Sequence, residues 1–235
     1  MKKYLFVLSA LVLFAFSSCQ KFAGDPISKD FPIENSYTEL EVEDAFEVTV
    51  SDAATQITIT AGEYVMPNVV VETVDNTLKI YLKGWHTNRG ADMTVILPYN
   101  ANLKSVDLSG ASEFHSEYGL YGEKVEVELS GASDFYCDIE ANEIDMNLSG
   151  ASYVEGSIDA SELDLDMSGA SDATLRGQVT RLDIDLSGAS NAYIHCDGSI
   201  KVSLSGASDL HFTGNAFTSD SSTSGGSEII HDVNP

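Results

Sequence analysis

The phrase Ser-Gly-Ala-Ser occurs six times in this 235-residue chain, each time directly behind an apolar residue. The repeats begin at Leu108, Leu129, Leu148, Met167, Leu186 and Leu204. Their glycines, Gly110, Gly131, Gly150, Gly169, Gly188 and Gly206, are 21, 19, 19, 19 and 18 residues apart. A fixed period near 19 restricts the chain to stacked architectures, in which each unit covers the apolar face of its neighbour.

The residues around each glycine decide which stack. Two before it stands the apolar residue already named, and four before it stand Val106, Val127, Met146, Leu165, Ile184 and Val202. The positions between are mostly acidic, as with Asp107, Glu128, Asp166 and Asp185. Apolar residues return four after the glycine, at Phe114, Phe135, Val154, Ala173, Ala192 and Leu210. This is a period of two on both sides of the phrase, so a strand leads in and a strand leads out. Nineteen residues leave no room for a helix as well. The pattern predicts a parallel β-helix of ~19-residue coils, each coil a strand, a Ser-Gly-Ala-Ser corner, a strand and a second turn. Successive coils would lie ~4.8 Å apart, with right-handed coiling as the usual crossover sense. At the corner, glycine supplies positive φ and close approach, alanine is small enough to pack inside the bend, and serine hydroxyls bond turn backbone or the next coil. A catalytic serine would need one exceptional copy with a histidine and an acid beside it. Six interchangeable copies point to a structural corner.

The six corners occupy residues 101–217. Upstream, residues 37–100 contain short alternating runs such as AFEVTVS, TQITITA and TLKIYLK, separated by turn signals at Asp52-Ala53, Gly62, Asp75-Asn76 and Gly84. One wet face and short connections predict antiparallel pairing here. The chain from 37 to 235 is read as one continuous all-β domain. Downstream, residues 218–235 are rich in Ser and Gly and are expected to start irregular, with Glu228-Ile229-Ile230 as a capping strand.

Residues 1–18 have the grammar of a secretory signal: Lys2 and Lys3, an apolar run from Tyr4 to Phe16, then small residues. The sequence FSSC resembles a bacterial lipobox, with Phe16 in place of the usual Leu, which makes Cys19 the expected lipid-attachment residue and a lipid anchor the expected membrane contact; ordinary signal cleavage with an incidental Cys19 is the alternative. Residues 19–36, with Pro26, Pro32 and Gly24, are read as a tether.

Composition narrows the partners. The formal charge is −25, which disfavours nucleic acid and anionic membrane surfaces. In the coil scheme Glu126, Asp145, Asp164 and Asp183 stack in one column, and Glu128, Asn147, Asp166 and Asp185 in another. Weak, diffuse calcium binding at most is expected, because strand-face carboxylates converge poorly. No cofactor is expected: the five histidines lack zinc spacing, and no phosphate-binding glycine loop is present. Cys137 and Cys196 fall three coils apart, ~14 Å, beyond disulfide reach, and are expected to be separate buried thiols. Trp85 is assigned to a hairpin loop.

The run FEVTVSDAATQITITAGEYVMPNVVVETVDNTLKIYLK, followed by repeated LSGAS, resembles the putative auto-transporter adhesin, head GIN domain family, over roughly residues 37–215. The resemblance implies a strand-rich N-terminal part running into a β-helix and a place at the cell envelope. Many members are lipoproteins of Gram-negative bacteria, and the family supplies no catalytic residues. The expected function is a non-catalytic binding or adhesion module on an outer-membrane lipoprotein, periplasmic or surface-exposed. A glycan or a surface protein is the expected partner. The alternatives are a carbohydrate-active β-helix enzyme and a purely structural envelope protein. The enzyme is disfavoured because Lys104, Lys124, Arg176, Arg181 and Lys201 do not fall at one coil offset.

Overall fold

The structure, a computed structural model, describes residues 23–33, 36–84 and 92–232. Among the described residues eighteen strands form one mixed sheet wound into a β-solenoid of about seven turns with a spacing near 19 residues. One side of the stack carries β8 (Ser105–Leu108), β10 (Leu120–Leu129), β12 (Ile139–Leu148) and the later halves of β13 (Tyr153–Met167), β14 (Asp172–Leu186) and β15 (Asn191–Leu204). The other side carries β9 (Glu113–His115), β11 (Asp134–Tyr136), the early halves of β13, β14 and β15, and β16 (Asp209–Thr213). All these neighbours pair in parallel.

The alternation read from the sequence is the register of this ladder. Val106, Val127, Met146, Leu165, Ile184 and Val202 pair in succession and are all buried. On the other side Phe114 and Phe135 stack inside the coil, with centroids 5.3 Å apart. Each such side chain contributes about 1.5–3 kcal/mol by leaving water, so these columns are the main driving force for stacking.

Each corner glycine lies in the left-handed region, with φ between +79° and +85°. A Cβ at Gly169 would collide with the carbonyl oxygen of Gly150, and the same holds along the column. The reason is the ladder itself: Gly150 O accepts the N–H of Ala170 at 2.7 Å, and Gly169 O that of Ala189 at 2.7 Å. The alanines do not pack inside the bend as expected. They face solvent, and the second serines, Ser112, Ser133, Ser152, Ser171, Ser190 and Ser208, are the buried members of the corner. Each donates its hydroxyl to the carbonyl three residues back, as Ser152 does to Ser149 at 2.8 Å. A buried hydroxyl needs a partner; the bend supplies one, whereas an inward methyl would leave that carbonyl unmet. First serines also bond up the ladder, as Ser149 does to Leu129 O at 3.3 Å.

The N-terminal section is mixed, not purely antiparallel. Strands β2 (Glu39–Val42) and β3 (Phe46–Ser51) form a coil that pairs in parallel with β8 and β9. On its far side lies a further coil of β6 (Thr77–Leu82) and β7 (Met93–Pro98), again parallel. The antiparallel pairs are at the margin: β5 (Val69–Val74) on β6, β4 (Ile57–Gly62) on β7, and β1 (Pro26–Phe31) on β4. The chain therefore makes its second coil first, leaves to build the end, and returns at β8. Alternation reports which residues face inward, but a partner such as Ser105, opposite Glu39, lies too far along the chain to be named by it. Strand β1 spans Pro26–Phe31, so part of the expected tether is an edge strand. A 3-10 turn at Met66–Asn68 is the one helical piece among the described residues.

The Ser/Gly-rich tail is not irregular. Strands β17 (Phe217–Thr223) and β18 (Glu228–His231) form a full terminal coil whose corner is Gly225, at φ +80° and stacked on Gly206. The capping strand expected at Glu228-Ile229-Ile230 is its second half. Opposite Ile200, Val202 and Leu204 this coil places Thr218, Ser221 and Thr223. Polar residues at the inward register let the stack end in water without exposing an apolar layer. Cys137 and Cys196 are separate, buried, free thiols; burial pushes the Cys137 thiol up to about 12.

Candidate binding surface

The six corner glycines form one column, joined carbonyl to amide. They are a hinge line between two flat outer faces and bring no side-chain chemistry of their own. Cys19, the signal segment and Trp85 lie outside the described residues.

The face before the corner is acidic. Glu41, Asp107, Glu128, Asn147, Asp166 and Asp185 pair in one row, and Glu126, Asp145, Asp164 and Asp183 in the next. With the first serines the first of these rows lines an open trough of about 580 Å³. Like charges one coil apart repel by about 0.8 kcal/mol in water. Burial, then Glu128 and Glu41, hold the Asp107 carboxyl above its usual range. Burial, then Asp185, raises Asp166, and burial, then Asp166, raises Asp164. Part of the second row is relieved: Lys124 reaches Asp145, Glu143 and Glu126, and Lys201 meets Asp183 at 2.7 Å. Among the described residues no three His, Cys, Asp or Glu side chains are grouped to hold a metal ion.

The face after the corner is different. Five residues beyond each corner a row runs Thr49, His115, Tyr136, Glu155, Thr174, Tyr193, His211. Because the pairing is in register, rings at this position stack. His115 lies on Tyr136 with centroids 4.5 Å apart and planes 6° apart, and Tyr193 lies on His211 at 4.6 Å and 19°. Between the two stacks the row is broken by Glu155 and Thr174. Glu155 accepts the Tyr153 hydroxyl at 2.9 Å and Arg176 Nη1 at 2.9 Å. Those two donors, Tyr153 first, hold its carboxyl below the usual range. Tyr153 itself is tilted 54° against Tyr136. A groove of about 730 Å³ runs beside the row, lined by His115, Tyr136, Asp138, Glu155, Ser157 and Arg176 among others.

Sequence reasoning assembled the glycines and the acidic rows but missed three features. Asp44, at φ +76°, is the corner of the β2–β3 coil, where Glu43-Asp44-Ala45-Phe46 stands in for Ser-Gly-Ala-Ser. Gly225 is a seventh glycine corner, and its Ser-Gly-Gly-Ser lies 19 residues after Gly206, a signal present in the spacing. The ring row was also legible: His115, Tyr136, Tyr193 and His211 each follow a corner glycine by five.

The family model described as putative auto-transporter adhesin, head GIN domain, matches residues 36–216. No curated protein matches the chain. Among solved structures, a putative adhesin from Parabacteroides distasonis superposes with a TM-score of 0.71 at 18% identity, covering 89% of this chain and 98% of its own. A putative adhesin from Bacteroides fragilis gives 0.67 at 16% identity, with 88% and 95% covered. A putative lipid binding protein from Parabacteroides distasonis gives 0.59 at 19%, with 89% and 98% covered. At these identities the likeness is one of fold.

Proposed function

The chain belongs to the putative auto-transporter adhesin, head GIN domain family, and from that premise we propose that it is a non-catalytic binding or adhesion module, held at the cell envelope by a lipid on Cys19. One observation carries the reading. Outward rows run coil after coil along two long faces, acidic before the corner and partly aromatic after it, which suits an extended contact surface. The non-catalytic side of the reading is supported by the corner serines: six equivalent copies, the second of each buried and donating its hydroxyl to a backbone carbonyl. The membrane tether rests on FSSC and the apolar run before it, which suit lipid attachment at Cys19.

Two measurements test this. Wild-type protein should fractionate with membranes and carry acyl chains by mass spectrometry, and Cys19→Ala should be released or left unprocessed; a soluble, unacylated wild type refutes the anchor. The mature chain should retain ligands on glycan and protein arrays without altering them. Shortening of a polysaccharide, lost on replacing a local acidic residue, would overturn the non-catalytic reading in favour of an enzyme.

A further inference from the structure

We propose that the break in the ring row is a sugar-binding site, at which an uncharged oligosaccharide seats one ring on the open face of Tyr193 above Thr174 and bonds Glu155 and Arg176 through its hydroxyls. This deepens the binding-module reading and rests on it.

The geometry begins with Tyr193. One face of its ring is covered by His211. The other is turned towards the preceding coil, where the partner in the row is the short Thr174. Tyr193 is 46% exposed, and the other large exposed apolar side chain of this row, Ile96, lies six coils away beyond Thr49. Tyr136 begins the other stack three coils away, ~14 Å along the axis, so the break is wide enough for a sugar ring lying flat. Its floor is polar and carries both signs: the Glu155–Arg176 pair at 2.9 Å, with the Arg176 side chain 68% exposed.

The chemistry of these groups selects the ligand. An aromatic face carries negative quadrupole density and attracts the weakly positive C–H face of a pyranose. Adjacent carboxylate and guanidinium groups offer acceptors and a fork of donors, which matches paired hydroxyls. A protein partner would want several apolar anchors around a dry centre, and at the break Tyr193 stands alone, with Ile96 six coils away. A polyanionic glycan meets a chain of formal charge −25, so the ligand is uncharged.

The test titrates the mature chain with neutral hexasaccharides of glucose, mannose and N-acetylglucosamine, and with a uronic-acid hexasaccharide, by calorimetry and saturation-transfer NMR. At least one neutral oligosaccharide should bind and the acidic one should not. Tyr193→Ala should weaken binding at least tenfold. Thr174→Tyr, which fills the break and prolongs the stack, should keep or raise the melting temperature and abolish binding. Asp166→Asn, on the opposite face, should bind like wild type. Binding of none of the neutral sugars, binding of the acidic one alone, or wild-type binding by both Tyr193→Ala and Thr174→Tyr overturns the site. If array retention of another ligand persists in wild type and both variants, the module reading stands and only this site falls; if wild type retains nothing, the module reading falls with it.

Discussion

The corners at Asp44 and at Gly169 have nearly the same backbone, φ +76° and +84°, and different chemistry. Positive φ alone therefore does not demand glycine, since Asp and Asn tolerate this region. What differs is the neighbour. Gly169 lies under the carbonyl of Gly150, where a Cβ has no space. Asp44 faces the outer coil of β6 and β7, which carries no Ser-Gly-Ala-Ser phrase, and its carboxylate there accepts the Leu82 N–H at 2.8 Å. Glycine is thus required by stacking of identical corners. Where the stack stops being identical, a side chain enters and bonds across the gap.

That contrast can be broken most forcefully at Gly169. Gly169→Val combines a disfavoured φ with a backbone clash in mid-stack and should cost about 3 kcal/mol or more. A denaturant midpoint near that of wild type would remove the stacking explanation. Asp44→Ala adds no atom that could clash but loses the bond to Leu82 and leaves alanine at positive φ, so about 1–2 kcal/mol is expected. If it costs as much as Gly169→Val, the two corners are equivalent and the comparison fails.

Proton linkage gives a smaller effect at the seam between the two regions, where Asp107 meets Glu41 and Glu43. Asp107, Asp164 and Asp166 have folded-state pKa values raised above those of the unfolded chain. A raised carboxyl holds its proton longer when folded, so the stability it contributes is present at low pH and lost as pH rises through the folded value. The contribution of these three carboxyls to the denaturant midpoint should therefore grow as pH falls from 7.5 towards about 4, and Asp107→Asn should raise the pH 7.5 value and flatten the difference. A midpoint that falls on acidification would place the dominant carboxylates elsewhere. The smallest effect is expected at Thr174, whose side chain faces outward. Thr174→Ala should cost under ~0.5 kcal/mol, and a large loss would mean that the register around Gly169 is wrong.

Legibility followed locality. The inward columns from Val106 to Val202 and from Phe114 to Leu210 could be read directly, because a strand reports its buried face every second residue. The alanines were misplaced because small size suits either side of a bend, and only the hydrogen bond from Ser152 to the Ser149 carbonyl decides which residue turns in. Asp44 was missed because glycine was taken as the mark of a corner. Gly225 was missed although its spacing was regular, because the Ser/Thr content of β17 reads as a linker; that polarity belongs to an end coil. The candidate site was half legible: the ring positions are in the sequence, but the open face of Tyr193 depends on which ring covers the other.

The sequence by itself determined the solenoid, its period, its corners and its two-sided strands, because stacking repeats one local solution and each copy reports it again. Tertiary structure alone decided that β2 and β3 sit between β6–β7 and β8–β9, and that His211 covers one face of Tyr193 and leaves the other to Thr174. These depend on contacts between segments far apart in the chain or on which neighbour covers a side chain, and no single period encodes either.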